Sequence, residues 1–462
     1  MLGVLGILLS LTLLMYLAYR GINVLVLAPL LSLLAVVMGG GLPLLATYTQ
    51  VFMQSLGGYL VKYFPLFMLG AIFGRLMDDS GCARSISQFI VTRLGQQRVI
   101  PAVVLSCAIL TYGGVSLFVV AFAVYPIASA LFRASNTPKR LIPGSIAVGS
   151  FTFTMTALPG TPAIQNAIPM PFFGTTAFAA PGLGAIGGLI MVVGGLAWLH
   201  FQSARAIRAD EGYGQHAEEA DTPKPEQPAP GFLLAVAPIV LVIAGNYVFS
   251  RFVIPNWDTS YLAEELYGET ELKSVLGIWS IICALVIAIL SLIVIHWHRL
   301  QNVKESVNRG TVDSLLPVFN TASEVGYGTV IASLAAFVVV RDFIVNLSPD
   351  NPLISEALAV TTLAGITGSA SGGLSIALST LGETFVELAT VNGINPDLLH
   401  RVASMSAGAF DTLPHNGAVI TLFAITNLTH RDSYADIFMV AVVAPAIATV
   451  SVIVMGSMFG AF

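Results

Sequence analysis

The chain has 462 residues, of which 56% are hydrophobic and 10% charged, with 43 glycines and a mean hydropathy of +0.84. Roughly a quarter of a soluble domain is charged, so an ordinary cytosolic protein is excluded. The formal net charge of −5 and a pI near 5.8 argue against nucleic acid as a partner, because phosphates demand a basic face. Cys82, Cys107 and Cys283 have unrelated spacings that spell neither a disulfide framework nor a zinc site, and they are expected to be packing residues.

Apolar runs of about twenty residues, long enough for a helix to cross a hydrocarbon core, recur throughout and specify an all-α polytopic membrane protein embedded in a lipid bilayer. Met1 to Tyr19 has no preceding basic residue and no small-residue cleavage site, so it is expected to remain as a membrane helix. Lys and Arg are retained on the cytoplasmic side, which orients the rest. With Arg20 inside, the chain runs out through Gly21 to Val37, turns at Gly39, Gly40 and Gly41, and returns in a long span ending near Arg75. Val99 to Phe132 has basic residues at both ends and therefore predicts a re-entrant hairpin, broken at Tyr112-Gly113-Gly114. Leu141 to Ile168 goes out and Pro181 to His200 comes back. Gln202 to Pro230, with four prolines among acidic residues, cannot bury enough apolar area to order itself and reads as a cytoplasmic linker. Gly231 to Val253 then exits, Val275 to Ile295 returns and Leu315 to Val340 exits again. A second hairpin, Pro352 to Val391, breaks around Ser369 to Gly373, and Val402 to Leu428 and Tyr434 to Met458 complete the chain. Every Lys and Arg is then cytoplasmic except Lys62, inside a span, and Arg251, Lys273, Arg341 and Arg401, outside or at the outer edge.

Each half thus holds three spans, a hairpin and two further spans, one of them broken, in opposite orientations: an inverted-topology repeat with residues 1–201 as the first copy, 202–230 as the linker and 231–462 as the second. Gly113-Gly114-Val115-Ser116-Leu117 is echoed by Gly372-Gly373-Leu374-Ser375-Ile376, and Ala157-Leu158-Pro159-Gly160-Thr161-Pro162 by Thr412-Leu413-Pro414-His415-Asn416-Gly417.

A Pro or Gly pair inside a span frees backbone groups that lipid cannot bond, so each break faces protein or water, and such breaks form the binding sites of transporters. Thr161 before Pro162 reads as an N-cap with Pro at the first helical position, restarting a half-helix whose amides, with Gln165 and Asn166, can hold a carboxylate. Gly114, Ser116, Ser369, Ser371, Gly373, Ser375, Thr412, His415 and Asn416 complete the expected substrate-binding set. Isolated small-residue pairs such as Gly70 with Gly74 and Gly184 with Gly188 are read instead as packing devices. Ionisable groups at membrane depth are costly, and Asp411 with His415, backed by Glu324, are the expected proton-coupling groups. Glu383 and Glu387 are read as reaching headgroup water. Gly182-x-Gly184-x-x-Gly187 opens an apolar span with no preceding strand, and there is no P-loop or hydrolase elbow, so no catalytic residue, metal or organic cofactor is expected.

Tyr112 to Pro126, Pro138 to Pro143, Gly149 to Thr176 and Asp411 to Thr421 together make the chain resemble the gluconate permease (GntP-type) family of the ion transporter superfamily. The resemblance covers nearly the whole chain. It implies proton-coupled uptake of sugar acids or short hydroxy acids across the bacterial inner membrane, on a fold of inverted repeats with two hairpins, as a homodimer. Where gluconate-transporting members carry Gly-Ile-Pro-Leu-Phe-Phe-Asp and Pro-Pro-His-Pro-Gly, this chain reads Gly114-Val-Ser-Leu-Phe-Val-Val120 and Leu158-Pro-Gly-Thr-Pro162, and it looks more like the hydroxybutyrate permease branch. The expected function is a symporter for a small hydroxymonocarboxylate driven by H+. The alternatives are a Na+-coupled citrate or dicarboxylate carrier, and an anion channel.

Overall fold

The computed structural model describes all residues except 1, 21, 96–97, 116, 215–228, 349–350 and 415. Among the described residues every regular element is helical. In the first half α1 (Leu2–Tyr19) pairs with α2 (Val24–Gly39), which Asn23 caps by accepting the Leu25 amide. The short α3 (Leu44–Ala46) runs through a π-turn at Thr47–Phe52 into α4 (Met53–Asp79), giving one 36-residue apolar helix. Next come α5 (Cys82–Leu94), α6 (Val99–Tyr112), α7 (Leu117–Ala134), α8 (Leu141–Ser150), α9 (Phe153–Thr156), α10 (Ile164–Ala167), α11 (Pro169–Phe173) and α12 (Pro181–Arg208). The second half comprises α13 (Phe232–Val248), α14 (Leu272–Ile295), α15 (Val303–Ala332), α16 (Phe337–Asn346), α17 (Pro352–Thr367), α18 (Ala370–Val391), α19 (Pro396–Ala409), α20 (Gly417–Thr426), α21 (His430–Phe438) and α22 (Ala444–Phe459).

Among the described residues six helices are long and apolar enough to cross a membrane, and a seventh if α15 and α16 are taken as one span bent by 99°. That bend corrects the straight span expected over Leu315 to Val340: α15 starts at Val303 and stops at Ala332. Large apolar side chains such as Val61, Leu233, Leu290 and Val294 point outward from these helices, as lipid contact requires. Helix α12 extends to Arg208, eight residues past His200, so helix covers the start of the expected linker; residues 215–228 of it lie outside the described part.

Two long helices, α4 and α15, lie along each other at the centre, and α2 packs on α15 while α14 packs on α4. Gly310 makes the central contact possible, since a Cβ there would come within 2.7 Å of the Ile72 Cα. Around this pair α6 packs on α8 and α17 on α19, and α12 and α22 pack on each other. Helices α6 and α7 part at Gly113 and Gly114, as expected, whereas α17 and α18 part at Gly368 and Ser369, so the second interruption lies at the leading edge of the expected one and Ala370 to Gly373 are already helical.

Candidate functional site

The chain opens between α8 and α12 exactly where Pro and Gly cluster, but the details differ from the sequence reading. Helix α10 begins at Ile164 with Ala163 at its N-cap, so Pro162 precedes the helix rather than opening it, and the expected half-helix is a single turn. Thr161 is fully buried and its hydroxyl accepts only a long bond, 3.3 Å, from the Ala163 amide. The first hairpin end is fastened to this break: the Tyr112 hydroxyl donates to the Pro159 carbonyl at 2.7 Å, and Thr111 meets Ser150 at 3.1 Å. Gly114 has φ +91 and touches Pro162 so closely that a Cβ would sit 2.7 Å from its ring, which satisfies two demands only glycine meets.

A cavity of about 440 Å³ lies against this assembly. Its walls are α4 from Leu66 to Arg75, the first hairpin end at Thr111, Gly114 and Val115, the break at Pro162 to Gln165, and α15 at Asp313, Ser314 and Pro317. Pro317 has no N–H and so cannot bond the carbonyl of Asp313, four residues back. Gly70, read from sequence as a packing residue, belongs to this wall instead, with nothing within 4 Å of where its Cβ would be. Gly184, by contrast, does pack, its would-be Cβ meeting the Ala157 carbonyl at 2.5 Å.

Behind the Met155 and Gln165 wall stands Arg401, which the sequence reading put at the outer edge of a span. It is fully buried. Its guanidinium donates to the carbonyl of Ala179 at 2.7 and 3.1 Å and to Asn166 Oδ1 at 3.2 Å, with longer bonds to the carbonyls of Ala177 and Thr156. His400 beside it spans Thr175 and Asn166. The unwound carbonyls of the break therefore bond a side chain from the other half of the chain. Asn166, expected to bind substrate, is committed to this cluster, donating to the carbonyls of Thr161 and Ala177. The missed signal was Asn395-Pro396, an N-cap with Pro at the first helical position, which starts α19 six residues before Val402 and carries Arg401 inward.

The second break, between α19 and α20, is also fastened to its hairpin end, here by side chains of the break bonding hairpin backbone. Asp411 Oδ1 accepts from the Ala370 amide at 2.7 Å and from Asn416 Nδ2 at 3.0 Å, and Asn416 also donates to the Gly368 carbonyl at 2.8 Å while capping α20. Ser369 caps α18 through the Gly372 amide, and Ser371 lies 3.3 Å from Thr321 of α15. The Glu324 carboxylate abuts Gly372, where any side chain would collide with it. Glu324 Oε2, Ser375 Oγ and Tyr59 Oη are buried and without a hydrogen-bond partner, although Tyr59 stands beside Ser375, Thr321 and Glu324.

The expected binding residues are thus divided. Gly114 and Gln165 line the cavity, and Thr161 and Asn166 lie behind its wall. Ser369, Ser371, Ser375, Asn416, Asp411 and Glu324 gather at the second hairpin end. Gly373 serves packing, since a Cβ there would overlap the Ala364 backbone, and Thr412 bonds the Ala441 carbonyl. Ser116 and His415 lie outside the described residues. Glu383 and Glu387 are exposed, and the three cysteines are free, two of them buried. Glu356 of α17, unremarked in the sequence, is fully buried with both carboxylate oxygens unpartnered. Among the described residues no group of His, Cys, Asp and Glu is placed to hold a metal ion.

A polytopic helical bundle with two helix-breaking hairpin ends, each tied to an unwound segment, is the architecture of a membrane transport protein. The comparisons make this specific: the model of the GntP family permeases matches residues 2–458, and the chain belongs to that family. It is a permease, not an enzyme. A Bacillus subtilis (strain 168) protein, described as the uncharacterized transporter YxjC, is 44% identical, with 98% of each chain covered. In fold alone the chain is similar to the Alcanivorax borkumensis YdaH transporter, whose crystal structure is described as revealing an unusual topology, with TM-score 0.57, 12% identity and 89% of each chain covered.

Proposed function

We propose that the chain is a secondary active symporter that carries a small hydroxymonocarboxylate, such as 3-hydroxybutyrate or a sugar acid, into the cell across the bacterial inner membrane together with a proton. The observation that carries this reading is the relation of the cavity to the second hairpin end. Pro317 lines the cavity, and Glu324 stands seven residues, about 10 Å, further along the same helix. A substrate chamber and one member of a buried carboxylate pair, Glu324, which neighbours Asp411 of the second break, therefore share α15, an arrangement suited to coupling a proton to a solute. The pairwise packing supports an inverted repeat: α2 on α15 is matched by α14 on α4, α6 on α8 by α17 on α19, and each hairpin end is tied to the break that follows it. On that reading the two hairpins are re-entrant.

The test is uptake of 3-hydroxybutyrate into proteoliposomes under an imposed pH or sodium gradient. Wild type is expected to concentrate it when the outside is acid. Asp411→Asn and Glu324→Gln are expected to lose that accumulation yet retain exchange between equal pools, since exchange moves no net proton. Accumulation driven by sodium instead, in wild type and both variants, overturns proton coupling in favour of sodium. Flux that no gradient drives uphill makes the protein a channel.

A further inference from the structure

A second cavity of about 500 Å³, lined by Arg75, Arg84, Arg299 and Arg309 together with Asp78, Asp79 and Glu305, opens where α4 ends and α15 begins. Arg75 is the side chain common to both cavities. Its Nε donates to Asp79 Oδ2 at 3.1 Å, and the same oxygen accepts from Ser306 of α15 at 2.6 Å, so the guanidinium is oriented by a relay between the two central helices. Neither terminal amino group of Arg75 bonds a described residue, and the side chain is 30% exposed. Among the described residues that line the substrate cavity, Arg75 is the one cation and Asp313 the one acid.

We propose that Arg75 is the carboxylate-binding residue of this permease, at the junction of the substrate cavity with a vestibule on its cytoplasmic side, and that Asp313 makes the site selective for monocarboxylates. The proposal deepens the function above and rests on it. With Nε tethered, the two free amino groups form a fixed fork that matches the two oxygens of a carboxylate. Acidic and basic side chains balance along the two walls, so general attraction of anions cannot do this work, and recognition falls to the fork. A second carboxylate on the same substrate meets Asp313, and like charges repel.

The experiment measures binding of 3-hydroxybutyrate, its neutral amide and malate to the purified full-length protein in detergent. Wild type is expected to prefer the acid to the amide. Arg75→Gln should lower affinity for the acid about tenfold or more and leave the amide unchanged, so the preference disappears, because a hydrogen bond to a charged group is lost. Arg75→Lys, which keeps the charge but not the fork, should fall between them and serves if the glutamine variant does not fold. Ser306→Ala, which frees the relay, should weaken the acid severalfold, and Asp313→Asn should admit malate. An undiminished preference for the acid in Arg75→Gln or Arg75→Lys overturns the assignment while leaving the transport function standing. A wild type that binds neither acid nor malate overturns the substrate class and this assignment with it.

Discussion

Each of the two unwound segments is hydrogen-bonded to the turn between a pair of packed helices, yet their chemistry is opposite. The first encloses a cation, Arg401, whose charge is spread over backbone carbonyls and the Asn166 amide, with no carboxylate bonded to it. The second encloses two carboxylates, Asp411 and Glu324, and among the described residues no cation bonds either of them. A buried charge that is fully hydrogen-bonded rigidifies its surroundings, whereas buried polar atoms left unpaired are costly and are kept where something is to bind. The first break is accordingly a braced wall beside the cavity, and the second is where, on the function proposed above, a proton would come and go.

The strongest way to break this contrast is to remove the brace. Arg401→Met should leave the Ala179 carbonyl without a donor, strip one bond each from the carbonyls of Ala177 and Thr156 and from Asn166 Oδ1, and cost about 3 kcal/mol, enough to abolish a monodisperse protein in detergent chromatography. Arg401→Lys should not restore it, because one ammonium cannot reach the same fan of acceptors. A folded Arg401→Met protein with unaltered melting would mean that the first break stands without its cation.

At the second break a smaller loss is expected. Asn416→Ala removes the cap of α20 and two bonds from the side-chain amide, and should lower stability by about 1 to 2 kcal/mol, read as a fall in melting temperature. Transport should suffer beyond what the stability loss explains, since Asp411 loses one of its two donors.

Gly70 sharpens the comparison by separating function from stability. Gly70→Ala sits in a helix with open space before it, so stability should hold or rise by about 0.5 kcal/mol, while the added methyl intrudes on the cavity and weakens substrate binding. Both quantities moving down together would show that Gly70 packs after all. The smallest perturbation is a label: a single cysteine at 209–214 should react from the cytoplasm and one at 261–267 from outside, and labelling of both from one side would overturn the inverted repeat proposed above.

The sequence by itself determined that this is a helical membrane protein, because its composition leaves no other way to satisfy the backbone, and it located the first helix break at Gly113 and Gly114, while it set the second a little late, at Ser369 to Gly373, where the helix has already resumed by Ala370. It also pointed to Asp411, Asn416 and Glu324, since polar groups in apolar runs stand out one residue at a time. What it could not supply was which of these residues meet. Arg401 looked peripheral until α19 carried it against a break more than 220 residues away, and Gly70 looked like a packing residue until α4 turned it toward a cavity. Burial and partnership are properties of three-dimensional neighbours, and only the tertiary structure decides whether a cation is saturated by carbonyls, as Arg401 is, or, as with Arg75, keeps its terminal amino groups free of bonds to the described residues.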